Sequence, residues 1–323
     1  MKVIAISNVK DPLISVCITV FNNAKTLEKC LLSFKQALYD LNFEFVVVDN
    51  FSSDNSIKLL KSYALNHGNI TLVQERCSRG KGRALAAILS KGKYLIFANA
   101  GVYVDHRKLR LLVYGYLSSK LRDKKALIAR NIIGIIPRDI LFKAGNWRDL
   151  NRDSTVDFYT RLFSYGFAAF IPIDVIVWNG YVKSSRRLLA SERTLSLKDL
   201  PRILRSSVDE ACSSAITPKK LIIQSRYCKG ESIFKVLVSS VIKTFFIFLN
   251  MARGLKPFSA NELLTNDIYL SYLRLMNIIN PGEYGFSQDD ISMFSLHEER
   301  IKILLRYFPE VKNVINKFKA KSP

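Results

Sequence analysis

Short apolar runs recur along the first half of the chain, and a polar or glycine-containing segment follows each of them. Short apolar runs that end at polar or glycine-containing segments predict buried strands. They are Ile14–Val20, Phe43–Val48, Ile70–Gln74 and Tyr94–Phe97, and residues 126–136 contain a fifth. The pattern therefore predicts a sheet whose strands are spread over this half of the chain.

The segments between the predicted strands carry helical patterns. After Asn23, apolar residues recur at helical spacing, which predicts a helix from about Ala24 with Asn23 as its N-cap. Those residues are Leu27, Leu31, Phe34 and Leu38. A second helix is predicted to begin at Asp54 or Asn55, and a short third one covers Gly82–Ser90. Alternating strands and helices predict a parallel sheet covered on both faces.

Ligands of such sheets bind beyond the carboxyl ends of the strands. Four polar or glycine-containing segments directly follow predicted strands and should meet at that edge. They are Thr19–Asn22, Asp49–Asp54, Arg76–Gly82 and Asn99–Asp105. The sequence therefore predicts a binding site at the edge where these four segments converge.

The C-terminal part of the chain has a different character. It is basic and mostly helical in pattern, which divides the chain into residues 1–185 and residues 186–323. Between Tyr181 and Ala260 there are 15 basic and 5 acidic residues. Ile233–Leu249 is the most apolar stretch, but it contains two lysines and is short for a bilayer span, which needs about 20 apolar residues. It is either a helix lying in a membrane surface or a helix buried against the first domain.

Charge and composition restrict the classes of partner. Hydrophobic residues make up 49% of the 323 residues, which is typical of a globular protein, and the net charge of +22 indicates an anionic partner. An acidic membrane surface, a phosphorylated substrate and nucleic acid all fit that charge. The sequence contains no zinc finger, helix-turn-helix or aromatic RNA-binding strand, so a nucleic-acid-binding role is not favoured.

The five cysteines and the start of the chain bear on localisation. The cysteines lack metal-ligand spacing, so five free thiols in a reducing compartment are expected. Residues 1–9 lack the long apolar run of a signal peptide. The expected localisation is therefore the cytoplasm, and the basic C-terminal region leaves open a peripheral attachment to the inner face of the cell membrane.

Four stretches, taken in order, resemble the family-2 inverting glycosyltransferases with the GT-A fold. They are SVCITVFNNAKTLEKCLLSF, VVVDNFSSDNSIKLL, RGKGRALAAILSKGKYLIFANAG and AGNWRDLNRDSTVDFYTRL. The resemblance implies a Rossmann-like nucleotide-diphospho-sugar transferase domain, with a mostly parallel sheet flanked by helices. It also implies an activity of the hexosyltransferase type, in which a sugar passes from a nucleotide-sugar donor to a hydroxyl of a lipid- or protein-linked glycan.

The same resemblance indicates a set of nucleotide-binding residues. Thr19 and Phe21 match positions that line the nucleobase pocket, and Asp49 matches an aspartate that contacts the nucleoside. From the residues alone, Asp49 also fits a turn or a helix cap. Arg79, Lys81 and Arg83, which alternate with glycines, are predicted to form a flexible cationic loop suited to a diphosphate, the alternative being a solvated basic turn.

The metal-binding motif of the family is altered. Family members carry Asp-x-Asp after the fourth strand, where the carboxylates hold Mn²⁺ or Mg²⁺ against the leaving diphosphate. This chain has Asn99, Ala100 and Gly101 there, which leaves Asn99 and Asp105 as the candidate metal ligands. The sequence therefore leaves open a divalent cation as cofactor. Stabilisation of the leaving diphosphate by basic groups such as Arg79 and Lys81 is the metal-independent alternative.

The catalytic-base motif is altered as well. The family's Glu-Asp pair aligns with Ser154 and Thr155, and a threonine does not act as a general base at neutral pH. Asp153 is the candidate substitute base, or else an N-cap. Trp147 either stacks on an acceptor sugar or belongs to the core.

Two functions remain open. In the first, the protein is an active glycosyltransferase whose acceptor is held at a membrane. In the second, it is a catalytically degenerate relative that keeps the fold and binds a nucleotide or acts as a scaffold subunit.

Overall fold

The computed structural model describes residues 1–130, 133–150, 154–179, 266–290, 305 and 309–320. The strands are β1 (Lys2–Ala5), β2 (Ile14–Val20), β3 (Phe43–Asp49), β4 (Ile70–Gln74), β5 (Tyr94–Asn99), β6 (Val102–Val104), β7 (Ala126–Ala129), β8 (Gly134–Pro137), β9 (Ala168–Ile171) and β10 (Ile176–Asn179). The α-helices are α1 (Ala24–Ala37), α2 (Ser56–His67), α3 (Arg79–Leu89), α4 (His106–Ser118), α5 (Arg138–Lys143), α6 (Ser154–Ser164), α7 (Asn266–Met276) and α8 (Val311–Ala320), and Pro281–Tyr284 and Gln288–Asp290 are 3₁₀ helices.

Eight strands form one sheet in the order β1-β4-β3-β2-β5-β8-β7-β9. The central strands β4, β3, β2 and β5 run parallel, whereas β1 and β8 pair antiparallel with their neighbours. A second, two-stranded sheet pairs β10 with β6. The predicted α/β fold with a largely parallel sheet and flanking helices is confirmed.

Alternate residues of the central strands feed two separate cores. Val16 and Ile18 of β2 pack on the face covered by α1 and α4, whereas Cys17 of β2 and Val46 of β3 pack on the face covered by α3 and α6. Side chains alternate between the faces of a strand, so a continuous apolar run is needed when both faces are buried. This requirement explains why the sequence pattern located these strands.

Element boundaries depart from the predictions in three places. Residues 126–136 form two antiparallel strands, β7 and β8, because the chain turns back between them. Helix α3 begins at Arg79, three residues before the predicted start. The antiparallel edge strand β1 was not predicted from the short apolar segment near the start of the chain.

Part of the C-terminal region packs directly on the sheet domain. The backbone N–H of Phe170 in β9 donates to Asn277, and its carbonyl accepts from Ile279. Leu273 of α7 joins the core beneath α6, and Tyr284 joins the core beneath α4. The predicted division at residue 186 and the stretch Ile233–Leu249 lie outside the described residues. None of the helices in the described ranges is both long and apolar enough to cross a membrane.

A buried ion pair fixes the loop that enters α6. Asp157 is fully buried and accepts from Arg161 at 2.8 Å and from Arg148 at 3.3 Å. Arg161, which is only 4% exposed, also donates to the carbonyls of Ala144 and Asn146. The pair therefore ties α6 to residues 144–148.

We predict that Asp157→Asn lowers the free energy of unfolding by about 3–5 kcal/mol, because it leaves the buried Arg161 without its opposite charge. Urea denaturation followed by circular dichroism measures this loss. Asp40→Asn is the control, since Asp40 pairs with Arg110 on the exposed surface, where ion pairs contribute little. Equal losses in the two variants would contradict a structural role for the buried pair.

Candidate functional site

An open cavity of about 540 Å³ lies beyond the carboxyl ends of the central parallel strands. Its volume is in the range of small-molecule sites. The residues that line it are Phe21, Asn50, Phe51, Arg76, Cys77, Ser78, Lys81 and Asp149. They come from the loops after β2, β3 and β4, from the start of α3 and from the loop before α6. The cavity thus lies where three of the four converging loops were predicted to meet.

Asp49 organises one wall of the cavity from behind. It is fully buried, and its carboxylate accepts from the backbone N–H of Ser52 at 3.1 Å and from the Gln74 amide at 2.8 Å. The Ser52 hydroxyl donates to the same carboxylate. The structure therefore uses Asp49 to shape the loop after β3, and the neighbouring Asn50 and Phe51 face the cavity instead.

The loops after β2 and β3 are held in uncommon backbone conformations. Asn22 and Phe51 have φ angles of 53° and 50°, a left-handed region in which a bulky residue such as phenylalanine is rarely found. Asn22 accepts through its side chain from the N–H of Ser53 at 2.8 Å, and its own N–H donates to the Ser52 hydroxyl at 3.0 Å. These contacts hold both loops in conformations that place Phe21 and Phe51 at the cavity.

Asp54 joins the same two loops. Its carboxylate accepts from the N–H groups of Ala24 at 3.0 Å and Ser56 at 2.9 Å. Although partial burial opposes its ionised form, a hydrogen bond with the Ser56 side chain and these backbone hydrogen bonds hold the pKa of Asp54 below its usual range. Asp54 thus connects the start of α1 to the start of α2.

Two exposed aromatic rings flank the cavity mouth. Phe21 is 58% exposed and Phe51 is 44% exposed, and the Arg76 guanidinium lies 5.5 Å from the centre of the Phe51 ring. Exposed rings beside a cation are typical of sites that bind a flat, polar ring by stacking. The sequence identified Phe21, but Phe51 and Arg76 carried no pattern that distinguished them from other loop residues.

The residues predicted to form a flexible cationic loop lie instead in helix α3, so that prediction is wrong. Ser78 caps this helix by accepting from the N–H of Lys81 at 3.0 Å. A Cβ at Gly80 would lie 1.9 Å from the carbonyl oxygen of Arg148. The glycine is required for this close approach of two backbones rather than for flexibility.

Of the three cations predicted for a diphosphate-binding loop, Arg79, Lys81 and Arg83, it is Lys81 that lines the cavity. Its side chain is about half exposed, and its ammonium lies 3.7 Å from Glu75. A hydrogen bond from the chain's amino terminus holds the pKa of Glu75 below its usual range, so this carboxylate stays ionised beside Lys81. Burial raises the pKa of the neighbouring Cys77 thiol, with a further contribution from Glu75, which keeps the thiol neutral.

Asp149 was not singled out by the sequence, yet it is the one carboxylate among the described residues that line the cavity. It is exposed, and the Ser78 hydroxyl at the N-cap of α3 donates to it. The N–H of Gly80 donates to the Leu150 carbonyl at 3.0 Å, which seats the loop around Asp149 on α3. The carboxylate is therefore placed by an ordered loop.

The candidate metal ligands point to other partners. The side-chain oxygen of Asn99 accepts from the Thr19 hydroxyl and from Arg83, both at 3.2 Å. Asp105 caps α4 by accepting from the N–H of Lys108 at 3.0 Å. Within the described ranges, no three His, Cys, Asp or Glu side chains are close enough together to hold a metal ion. These residues, as arranged, do not form a site for a divalent cation.

The aligned base position also faces Arg83. The Arg83 guanidinium donates to the Thr155 hydroxyl at 2.6 Å and to the Ser154 hydroxyl at 3.3 Å. Asp153, the predicted substitute base, lies outside the described residues. The structure thus brings Thr19, Asn99 and Thr155 together around Arg83, a buried arginine that the sequence placed in a flexible cationic loop.

Trp147 lies in the core, which is the second of the two alternatives that the sequence left open for it, and not on an acceptor surface. It is 5% exposed and stacks on Phe158 with ring centres 4.2 Å apart. The Arg83 guanidinium lies 4.5 Å from its ring centre. Packing against Phe158 and Arg83 leaves too little of the ring accessible for stacking on a sugar.

Comparison with known proteins agrees with the sequence motifs. Residues 15–117 match the family model described as glycosyl transferase family 2. Over 100 residues the chain is 27% identical to a poly(ribitol-phosphate) beta-glucosyltransferase of Bacillus spizizenii, a match that covers 30% of this chain and 16% of that protein. Over 48 residues it is 50% identical to an uncharacterized protein of Mycobacterium tuberculosis, which covers 15% of each.

Solved structures with a similar arrangement share little sequence with this chain. The S. aureus TarS 1-349 complex with UDP aligns with 75% of this chain and 91% of its own, with 13% identity and a TM-score of 0.44. A mannosyltransferase from Pyrobaculum calidifontis, in complex with GDP-Man and Mn²⁺, aligns with 97% and 86%, with 16% identity and a TM-score of 0.46. The family model match confirms the resemblance to family-2 glycosyltransferases for residues 15–117.

We predict that Gly80→Ala lowers the free energy of unfolding by about 1–3 kcal/mol, because the added methyl group displaces the loop at Arg148. Urea denaturation measures the loss. Gly101→Ala is the control, since a Cβ there meets its nearest atom, on Asn23, at an ordinary 3.5 Å. A Gly80→Ala variant as stable as the wild type would show that this loop does not pack on α3 in solution.

Proposed function

We propose that this protein is a glycosyltransferase that moves a sugar from a nucleotide-diphosphate donor to an acceptor hydroxyl with inversion at the anomeric carbon. The observation that carries this proposal is the cavity at the carboxyl ends of β2, β3 and β4, lined by two aromatic rings, two cations and one carboxylate. It lies largely within the segment that matches family 2.

The donor nucleotide fits the chemistry of the cavity lining. Phe21 and Phe51 offer exposed ring faces on which a nucleobase stacks, and the amide of Asn50 offers hydrogen bonds to its edge. Lys81 stands in the first turn of α3, where the helix dipole also favours an anion, so the diphosphate is expected beside it. The sugar is then expected near Asp149, the carboxylate of the cavity lining, which accepts from the N-cap residue Ser78.

Asp149 is the proposed general base. Its carboxylate takes the proton of the acceptor hydroxyl while the hydroxyl oxygen bonds to the anomeric carbon. The bond from that carbon to the diphosphate oxygen breaks, and its electron pair leaves with the nucleoside diphosphate. Attack on the face opposite the leaving group inverts the configuration.

The acceptor and its location extend the proposal. The net charge of +22 supports an acceptor carried on an anionic membrane surface, such as a lipid-linked glycan. The basic region that would provide this attachment is largely within residues 180–265, which the structure does not describe.

A second function is favoured by one observation, the contact between Arg83 and Thr155. A hydroxyl that is hydrogen-bonded to a guanidinium does not act as a base. If Asp149 and Asp153 do not replace the lost carboxylate, the protein binds a nucleotide without transferring sugar and acts as a nucleotide-binding or scaffold subunit.

We predict that the full-length protein binds at least one of UDP, GDP and dTDP in calorimetric titration. Phe51→Ala should weaken this binding by about 1–3 kcal/mol, since it removes a stacking face. Phe142→Ala is a matched control, because Phe142 is also an exposed phenylalanine beneath an arginine, with Arg138 at 5.4 Å, but it does not line the cavity. If none of the three nucleotides binds, the donor site is not where we place it and the proposal fails.

We further predict that Asp149→Asn lowers sugar transfer by about 10²–10⁴-fold, the usual contribution of a general base, while nucleotide affinity changes little. The measurement is release of nucleoside diphosphate from UDP-glucose, UDP-N-acetylglucosamine and GDP-mannose in the presence of total membrane extract. Asp153→Asn is the matched control and should retain activity. A loss of sugar transfer confined to Asp153→Asn would assign the general base to Asp153. Wild-type protein that binds a nucleotide but releases no nucleoside diphosphate from any of the three donors would favour the second function.

A further inference from the structure

Arg83 lies at the junction of the two altered motifs. It belongs to α3 and is only 5% exposed. Its guanidinium donates to Asn99 at the end of β5 and to Thr155 at the start of α6. One side chain thus connects the position aligned with the metal-binding carboxylates to the position aligned with the catalytic base.

The residues at both altered positions are neutral. Asn99, Ser154 and Thr155 satisfy guanidinium N–H groups through an amide oxygen and two hydroxyls. Aspartate or glutamate at these positions would place negative charge directly against the guanidinium and cancel its field. Asn99, Ser154 and Thr155 therefore satisfy hydrogen bonds of Arg83 without adding negative charge to it.

A divalent cation does not fit this arrangement. The Asn99 oxygen that it would need already accepts from Thr19 and Arg83, and a cation bound to that oxygen would stand beside the guanidinium. Gly101 supplies no side chain, and Asp105 is used to cap α4. The family's metal-binding position is thus occupied by hydrogen bonds to a fixed organic cation.

The junction adjoins the cavity. A Cβ at Gly82, the residue before Arg83, would lie 3.3 Å from the thiol of Cys77, which lines the cavity, and 3.2 Å from Thr19, whose hydroxyl donates to Asn99. The guanidinium is held in place by its stacking on Trp147 and by its hydrogen bonds. A charge fixed before the ligand arrives does not need to reorganise when negative charge develops nearby.

We propose that Arg83 supplies the positive charge that a divalent metal supplies in metal-dependent family members, so that this protein binds a nucleoside diphosphate without metal and in a manner that depends on the charge of Arg83. The inference rests on the proposed donor site. Arg83 acts as an electrostatic and positioning residue: its field favours the diphosphate more than a monophosphate, because the diphosphate carries more negative charge.

The test is calorimetric titration of the full-length protein with UDP, GDP and dTDP and with the matching monophosphates, in EDTA and again in Mn²⁺. The wild type should bind the diphosphate equally well in both conditions. Arg83→Gln should weaken diphosphate binding by about tenfold or more, as expected for the loss of a charged partner, and should weaken monophosphate binding less. Arg83→Lys should retain more affinity than Arg83→Gln, since it keeps the charge.

Two further variants separate charge from folding. Thr155→Asp keeps the arginine side chain but places a carboxylate against it, so it should also weaken metal-free diphosphate binding. Arg110→Gln makes the same change in net charge on the exposed surface, where Arg110 pairs with Asp40, and should leave binding unchanged. Thermal unfolding of each variant shows which of them are folded.

The outcomes distinguish this inference from the proposed function. Wild-type binding that requires Mn²⁺ overturns the inference and leaves the donor site intact. Equal weakening of diphosphate and monophosphate binding in folded Arg83→Gln, or unchanged binding in Thr155→Asp, assigns Arg83 a purely structural role and also overturns it. Absence of binding to any nucleotide overturns both.

Discussion

The polar side chains at the carboxyl ends of the central strands lie on a sheet that is covered on both faces, so each of them must find a partner inside the protein. Asp49 finds Ser52 and Gln74, and Asn99 finds Thr19 and Arg83. These hydrogen bonds fix the loops after β2 and β3 and the start of α3. The cavity has its shape because the buried ends of the strands are satisfied in this way, while the residues that follow them remain exposed.

The other wall of the cavity depends on a second buried contact. Asp157 and Arg161 on α6 hold the carbonyls and the arginine of the preceding loop, and the same loop seats itself on Gly80 of α3. Asp149 reaches the cavity because this loop is fixed at both of its ends. Asp157 and Arg161 thus lie on the same helix as Thr155, the altered base position. By holding the preceding loop, they position Asp149, a carboxylate that lies before this helix.

The sequence predicted the central strands well because burial of both faces demands continuous apolar runs, and such runs are visible in Ile14–Val20 and Ile70–Gln74. It misplaced the start of α3 because Gly80 and Gly82 favour a flexible loop in a local reading. Their true constraint is the approach of Arg148 and Thr19, which lie far away along the chain. Phe21 and Lys81, two of the predicted nucleotide-binding residues, line the cavity. Asp149 and the buried position of Arg83 depend on tertiary contacts that leave no local pattern.

The loss of two acidic motifs has a simple interpretation when Arg83 is considered together with them. A metal ion and a buried arginine compete for the same oxygen atoms, because a carboxylate attracts either cation. Once an arginine occupies the junction, retained carboxylates at positions 99 and 155 would neutralise it, and neutral amide and hydroxyl partners keep its charge available. Under the proposed role of Arg83, the two departures from the family pattern are consequences of one change in the type of cation. Replacement of the base depends on a different part of the chain, the loop that carries Asp149, which lines the same cavity as Lys81.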